Sequence, residues 1–483
     1  MEQLALGCAK VDITPKHPVP LAGFAHRKGV FESVDGPLNA RILFFEKNGK
    51  SAALIVSADL LFWCGDRSVR LKKKLAELWG LDEANILLHA THNHSGPQTS
   101  ARFTPLLGVP DEEYVAFMEQ RVMDGVATAA RRLEPVSIER GYGRCELGVN
   151  RRKKVDGRIV MAPNPAGRVD PETTVLRFAT PDGRLKALLV HYACHPTVSG
   201  ENVVSPEFPG EAMNALEGKF GNGVVAVYLQ GFCGDVRPAL VRDGAFYRGG
   251  PKEVKQIGRA LADEVGNVLS RPMTRLAPGS FEARRLILPL PLQPSLAPEE
   301  MAELAKGERA AEPVNPEGRQ TAGGSDGVAE SDTGGSDHAS GTASADKRTG
   351  AGAGRLKQLA PDADVLKTWA GFLLSDPDRL KRSTVELDMS YLELADGCSI
   401  LAVNGEMVHA YGEFVKTRFG KTVLPVGYSN GMIGYVPTAE QLDEGGYEAV
   451  DYIYYFGLPS TFSPEAEQLI RDGIVRLVDR DAR

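Results

Sequence analysis

The chain has 483 residues, of which 42% are hydrophobic and 25% charged. That balance belongs to globular proteins and excludes disorder throughout and collagen-like repeats. A net charge of -7, from 56 Lys and Arg against 63 Asp and Glu, leaves no global basic footprint for nucleic acid and no acidic solvating tail.

Length alone suggests about three domains, at roughly 150 residues each. Met1 to Pro15 lacks a basic region followed by an apolar stretch, so it does not read as a signal peptide. The apolar runs are strand-sized, far short of the ~20 residues of a membrane span. Six cysteines lie scattered without a CxxC pair, which argues against a disulfide framework or an all-cysteine zinc site. These features together predict a soluble, reduced, cytoplasmic protein.

In chain order, Arg41–Phe45, Ser51–Val56 and Asn85–His89 read as strands, and Arg67–Trp79 and Asp111–Arg132 as amphipathic helices. Leu185–His191 and Gly223–Leu229 repeat the apolar strand pattern. Helical patterns follow at Pro298–Ala305 and Ala363–Leu374. Between them, nine of the 34 residues from Thr321 to Gly354 are Gly, and Val328 is the only large aliphatic residue. A segment with so little to bury reads as a disordered insertion, spanning residues 307–355. Thr384–Glu406 reads as a strand pair turning at Asp396-Gly397. No internal repeat is visible. Continuous apolar strands between helices predict an α/β fold, a layered sandwich of mixed β-sheets covered by helices. Residues 1–306 and 356–483 then form one large domain around the insertion.

Five of the nine histidines fall in two groups, each directly after an apolar strand. The first is His89-Ala-Thr-His92-Asn-His94-Ser-Gly-Pro97. In extended backbone His92 and His94 share one face and can reach a common metal. The second is His191-Tyr-Ala-Cys-His195-Pro-Thr. A lone histidine is more often a satisfied core residue, but two groups in the same strand-end context favour a metal, and neutral imidazole suits Zn²⁺. His17, His26 and His338 sit in loop-like sequence, and nothing demands a role for His409. Glu406 ends a strand, and Gly427–Thr438 is a Gly-rich turn carrying Tyr435.

With these residues in place, the sequence resembles the catalytic domain of the neutral, non-lysosomal ceramidases. Thr91-His92-Asn93-His94-Ser95-Gly96-Pro97, Cys194-His195-Pro196, Gly405-Glu406, Asn430 to Tyr435, Tyr447-Glu448, Asn150-Arg151, Asp170 to Phe178 and Gly23-Phe24-Ala25 match that family's motifs in order. The resemblance implies one zinc ion held by His92, His195, Glu406 and Tyr435. It places His94 beside the substrate, with Gly23, Arg151 and Tyr447 as substrate-binding residues. The family's Gly-Asp-Val-Ser-Pro motif stands here as Gly234-Asp235-Val236-Arg237-Pro238. Arg237 cannot replace a serine nucleophile, because its guanidinium stays protonated. Asp235 and Arg237 join His94 as catalytic candidates, Arg237 binding an anionic group or a developing oxyanion unless it is tied up in a salt bridge.

The sequence after Tyr447 is expected to lack the family's C-terminal immunoglobulin-like domain. The reading is therefore a zinc hydrolase of an amide or related carbonyl bond, acting on a small polar or anionic molecule. Its alternatives are ceramide hydrolysis and a degenerate relative that binds zinc or ligand without turnover.

Overall fold

The computed structural model describes residues 4–63, 65–307 and 362–479. The glycine-rich insertion, apart from Gly307, lies outside the described residues, as does His338. The helix Pro298–Lys306 ends at Gly307, whose left-handed backbone (φ 77°) terminates it, and it packs against the helix Ala363–Leu374.

Three mixed sheets carry the fold. The first runs Ile86–Ala90, Lys50–Ala58, Asn39–Lys47, Leu4–Asp12, Glu134–Pro135. The second runs Val225–Gln230, Leu185–Tyr192, Glu172–Ala179, Ser137–Arg144, Thr274–Leu276. The third runs Ala283–Pro291, Thr384–Ala395, Cys398–Val403, Val423–Val426. Successive strands run antiparallel, four in each of the first two sheets and three in the third, and in every sheet one outer strand pairs parallel with its neighbour.

The element order is the same three times. Two strands close a hairpin, a helix (Gly65–Trp79, Glu207–Phe220 or His409–Phe419) crosses over to the parallel strand, and a further helix follows (Glu112–Ala130, Pro251–Leu269 or Glu465–Val478). The fold is thus a threefold structural repeat, a correction to the reading that no repeat exists. The copies share topology and apolar pattern, which many sequences satisfy, and not residues.

Local chemistry explains the elements. Asn48 and Gly49, at φ 53° and 77°, make the two-residue turn of the first hairpin. Gly397 (φ 69°) turns the third, as its Asp-Gly pair predicts. Asp111 caps the helix Glu112–Ala130 by accepting the Tyr114 amide proton at 2.8 Å.

Strand alternation then distributes the core. Leu4, Leu6, Ala53, Ile55, Ala187, Leu189, Cys398 and Ile400 point into one core shared by all three sheets. Their sequence neighbours, such as Val56, Leu188, Val190 and Leu401, face outward under the helices. Each sheet is therefore covered by helices on one face and by the other two sheets on the second. Phe45 joins the copies: its ring lies 5.6 Å from Phe178 in the second sheet and 5.4 Å from Phe281 before the third.

Truncating Phe45 to Ala should lower stability by about 3–5 kcal/mol. Phe45→Ala with Phe178→Ala should cost less than the sum of the two single changes, because the rings touch. Urea unfolding midpoints of the four proteins measure this; strict additivity would contradict the shared core.

Candidate metal centre

The parallel strand pairs of the three copies direct their carboxyl ends to one place, and the loops leaving them carry the polar residues. His92 and His94 follow Ile86–Ala90, and His195 follows Leu185–Tyr192. Glu406 follows Cys398–Val403, and Tyr435 lies beyond Val423–Val426. Glu406 and Tyr435 are direct partners in a short parallel bridge between Glu406–Met407 and Tyr435–Val436.

Each of the three imidazoles is anchored through Nδ1 to a backbone carbonyl: His92 to Leu61 at 3.1 Å, His94 to Gly23 at 3.2 Å, His195 to Cys233 at 2.8 Å. A carbonyl only accepts, so each Nδ1 carries a proton, and a ring with no second proton turns a lone pair inward on Nε2. The Nε2 atoms of His92 and His195 are 3.0 Å apart, and those of His92 and His94 3.1 Å. Glu406 Oε2 lies 3.2 Å from both His92 Nε2 and His195 Nε2. It is buried and has no hydrogen-bond partner. The Tyr435 hydroxyl is 3.2 Å from His195 Nε2.

So many acceptor atoms do not share a dry pocket unaided. One proton could bridge one pair of them; a cation satisfies them together. The three histidine side chains present ligand atoms within 4.8 Å of one another and could hold a metal ion. Two or three imidazoles, a carboxylate and a phenol are the donor set of a hard-to-borderline ion such as Zn²⁺.

Electrostatics agree with this. Burial pushes His195 down to about 4, with Arg151 adding to the effect, and burial beside His92 and His195 holds His94 well below its ordinary value. Both rings are neutral near pH 7. Burial raises the Glu406 carboxyl, and proton-bearing His92 and His195 lower it by more; with neutral rings a bound cation would supply that attraction instead. Burial raises the Tyr435 phenol, opposed by Arg151, whose Nη2 donates to the hydroxyl at 3.0 Å. Arg151 is itself gripped by Glu448 at 2.6 Å, and its guanidinium lies 5.7 Å from the Tyr447 ring.

The sequence-predicted residues fare differently. His92, His195, Glu406, Tyr435 and His94 converge, and Arg151 and Tyr447 stand behind Tyr435. The expected shared strand face for His92 and His94 is wrong: His92 sits in left-handed backbone (φ 64°), beyond the strand. That conformation, strained in a residue with a side chain, brings the ring inward. Gly23 contacts His94 through its carbonyl; a Cβ there would meet His94 Nδ1 at 2.4 Å.

Asp235 is turned away. Its carboxylate accepts from the His409 amide at 2.8 Å, from Gln441 at 3.2 Å and from Asn150 at 3.4 Å. Its carbonyl holds the Arg151 amide, which makes it a positioning residue for Arg151. Arg237 forms no salt bridge among the described residues. Sequence reasoning missed Tyr428, stacked on His92 at 4.1 Å, and the role of Glu448. Nothing in a single sequence signals the three anchoring carbonyls.

Fold and site together define an α/β chain built around a candidate metal centre at the carboxyl ends of parallel strands. A family model of the N-terminal region of neutral/alkaline non-lysosomal ceramidases matches residues 4–249. The chain belongs to that family.

It is 26% identical over 251 residues to the neutral ceramidase of Pseudomonas aeruginosa, a match covering 48% of this chain and 37% of that protein. It is 25% identical over 269 residues to neutral ceramidase B of Dictyostelium discoideum, covering 50% and 37%. The matched region thus spans well under half of these relatives' length. The crystal structure of the Pseudomonas aeruginosa enzyme superposes with a TM-score of 0.68 at 17% identity, over 99% of this chain and 75% of that one. A structure of ceramidase complexed with C2 gives a TM-score of 0.66, also at 17% identity, which shows the shared fold.

Purified protein should carry about one equivalent of a divalent transition metal by elemental analysis, and Glu406→Ala or His195→Ala should lose it. Stoichiometric metal retained in both variants would place the ion elsewhere.

Proposed function

We propose that the chain is a zinc-dependent hydrolase that cleaves an amide (N-acyl) or related carbonyl bond. The observation that carries this reading is the convergence of inward-facing imidazole nitrogens on the unpaired Glu406 Oε2. His92, His195, Glu406 and Tyr435 would hold one zinc ion. When bound, zinc supplies a Lewis acid that polarises the carbonyl and lowers the pKa of water.

The chain's own residues supply the rest. His94 is held neutral, with Nδ1 spent on the Gly23 carbonyl and Nε2 free to take a proton from attacking water. Water adds its oxygen to the carbonyl carbon, the C–N bond breaks, and His94 returns the proton to the departing nitrogen. Arg151 fixes the Tyr435 hydroxyl and, with Tyr447 beside Tyr435, would contact the substrate. Cys233 is no substitute nucleophile: its thiol is buried, pushed up by that burial, and contacts Tyr428 and Gln230.

Arg237, standing where the family motif has serine, directs the reading toward a small polar or anionic substrate. Family membership favours a second reading, N-acylsphingosine hydrolysis. No helix among the described residues is long and apolar enough to cross a membrane.

A panel of N-acyl compounds, ceramide included, assayed with and without chelator decides between these readings. Chelator-sensitive hydrolysis is expected, and turnover indifferent to chelation would remove zinc from the mechanism. His94→Ala should lower kcat by about 10²–10⁴-fold while metal content stays near that of the parent protein. Loss of metal in that variant would instead make His94 a ligand.

A further inference from the structure

Buried arginines in this protein normally come paired. Arg41 meets Asp59 and Glu217, and Arg152 meets Glu444 and Glu448. Three further arginines lack an acid partner among the described residues: Arg237 is buried, Arg27 is half-buried and Arg248 is exposed. Arg237 is 6% exposed, yet its side chain makes no ion pair among the described residues, and its Nε has no hydrogen-bond partner. Its guanidinium lies on the Phe246 ring at 4.3 Å.

Arg27 and Arg248 both lie against Phe24, at 4.7 and 4.1 Å from the ring centre, and that ring is 4.9 Å from His94. Arg27 donates to the carbonyls of Ala22 and His94, leaving Nε and Nη2 buried without partners. Arg248 donates to the Thr197 carbonyl at 2.9 Å, and the buried Thr197 hydroxyl is also unpaired.

The cations repel one another: Arg248 and Arg151 both act on Arg237, and Arg248 acts on Arg27. Glu207 is the acid that faces all three. Its carboxylate is committed to the Val198 and Ser199 amides at 3.2 and 2.8 Å, and burial raises it to about 7. A desolvated guanidinium without an anion, as at Arg237, is costly. Such an arrangement suits a ligand that brings the negative charge.

We propose that Arg27, Arg237 and Arg248 form a recognition pocket for an oxyanion substituent, a carboxylate or a phosphate ester, carried by the substrate of the adjacent metal centre. The proposal rests on the hydrolase reading for its neighbour and on the unpaired guanidiniums for its chemistry. Contact with Phe24 and Phe246 restricts the freedom of the three guanidiniums. The anionic group is anchored beside His94, which leaves the carbonyl of the same molecule to face the proton carrier.

Three probes test this on the full chain as purified: N-acetyl-L-alanine, N-acetylethanolamine phosphate and neutral N-acetylethanolamine. Affinity is read as KM where a probe is hydrolysed and as Kd by calorimetry where it is not. One anionic probe should bind at least about tenfold tighter than the neutral one, and which of the two does so identifies the oxyanion. Arg237→Met, and separately the more exposed Arg248→Gln, should each cut that preference by about tenfold or more. Equal affinity for all three probes, or a preference that survives both substitutions, would overturn the pocket. Preference for an anion without any hydrolysis would support the pocket and count against the hydrolase reading, so the two fail separately.

Discussion

Three imidazole rings fixed by backbone carbonyls determine how the rest of this molecule must be built. Each carbonyl at Leu61, Gly23 and Cys233 orients one ring, and Nε2 of His92 lies within a hydrogen-bond length of Nε2 of both His195 and His94. That geometry is unfavourable for the polypeptide alone. It persists because the surrounding loops are held by sheets that share one core, and because Glu406, an anion, is buried in the same place. Positioning by main-chain groups is stiffer than positioning by side chains, since no rotamer can relax it.

The threefold architecture explains how such loops come together. Every copy ends its parallel strand pair at the same end of the shared core, so residues far apart in sequence emerge side by side. The first copy supplies His92 and His94, the second His195, and the third Glu406 and Tyr435. The connections between the first two strands of each copy have diverged. The first holds Gly23, Phe24 and Arg27, the second holds Arg151, and the third holds the glycine-rich insertion. Only topology is repeated; chemistry is distributed among the copies.

Much of this was legible from residue types. Strands such as Leu185–Tyr192 and helices such as Glu112–Ala130 follow from apolar period and capping, which are local signals. His92 and His195 stood out because scarce residues recur after apolar strands, whereas Glu406 and Tyr435 were marked only by the family resemblance. The threefold repeat was not legible, because patterning of apolar residues repeats without residue identity. The paired face expected for His92 and His94 failed because left-handed backbone at a histidine leaves no mark in composition. Arg27 and Arg248 escaped notice for a related reason. Arginine in a loop is unremarkable until the fold shows that it lacks an acid, and pairing is a property of space.

The distribution of donors over the copies also bears on assembly of the chain. A nascent polypeptide that has folded its first two sheets already possesses His92, His94 and His195, but their arrangement is unbalanced until the carboxylate and phenol of the last copy arrive. Ion capture, where it occurs, is therefore a late event coupled to closure of the whole domain. An ion held there would need all three copies in place, so its loss would accompany loss of the whole fold.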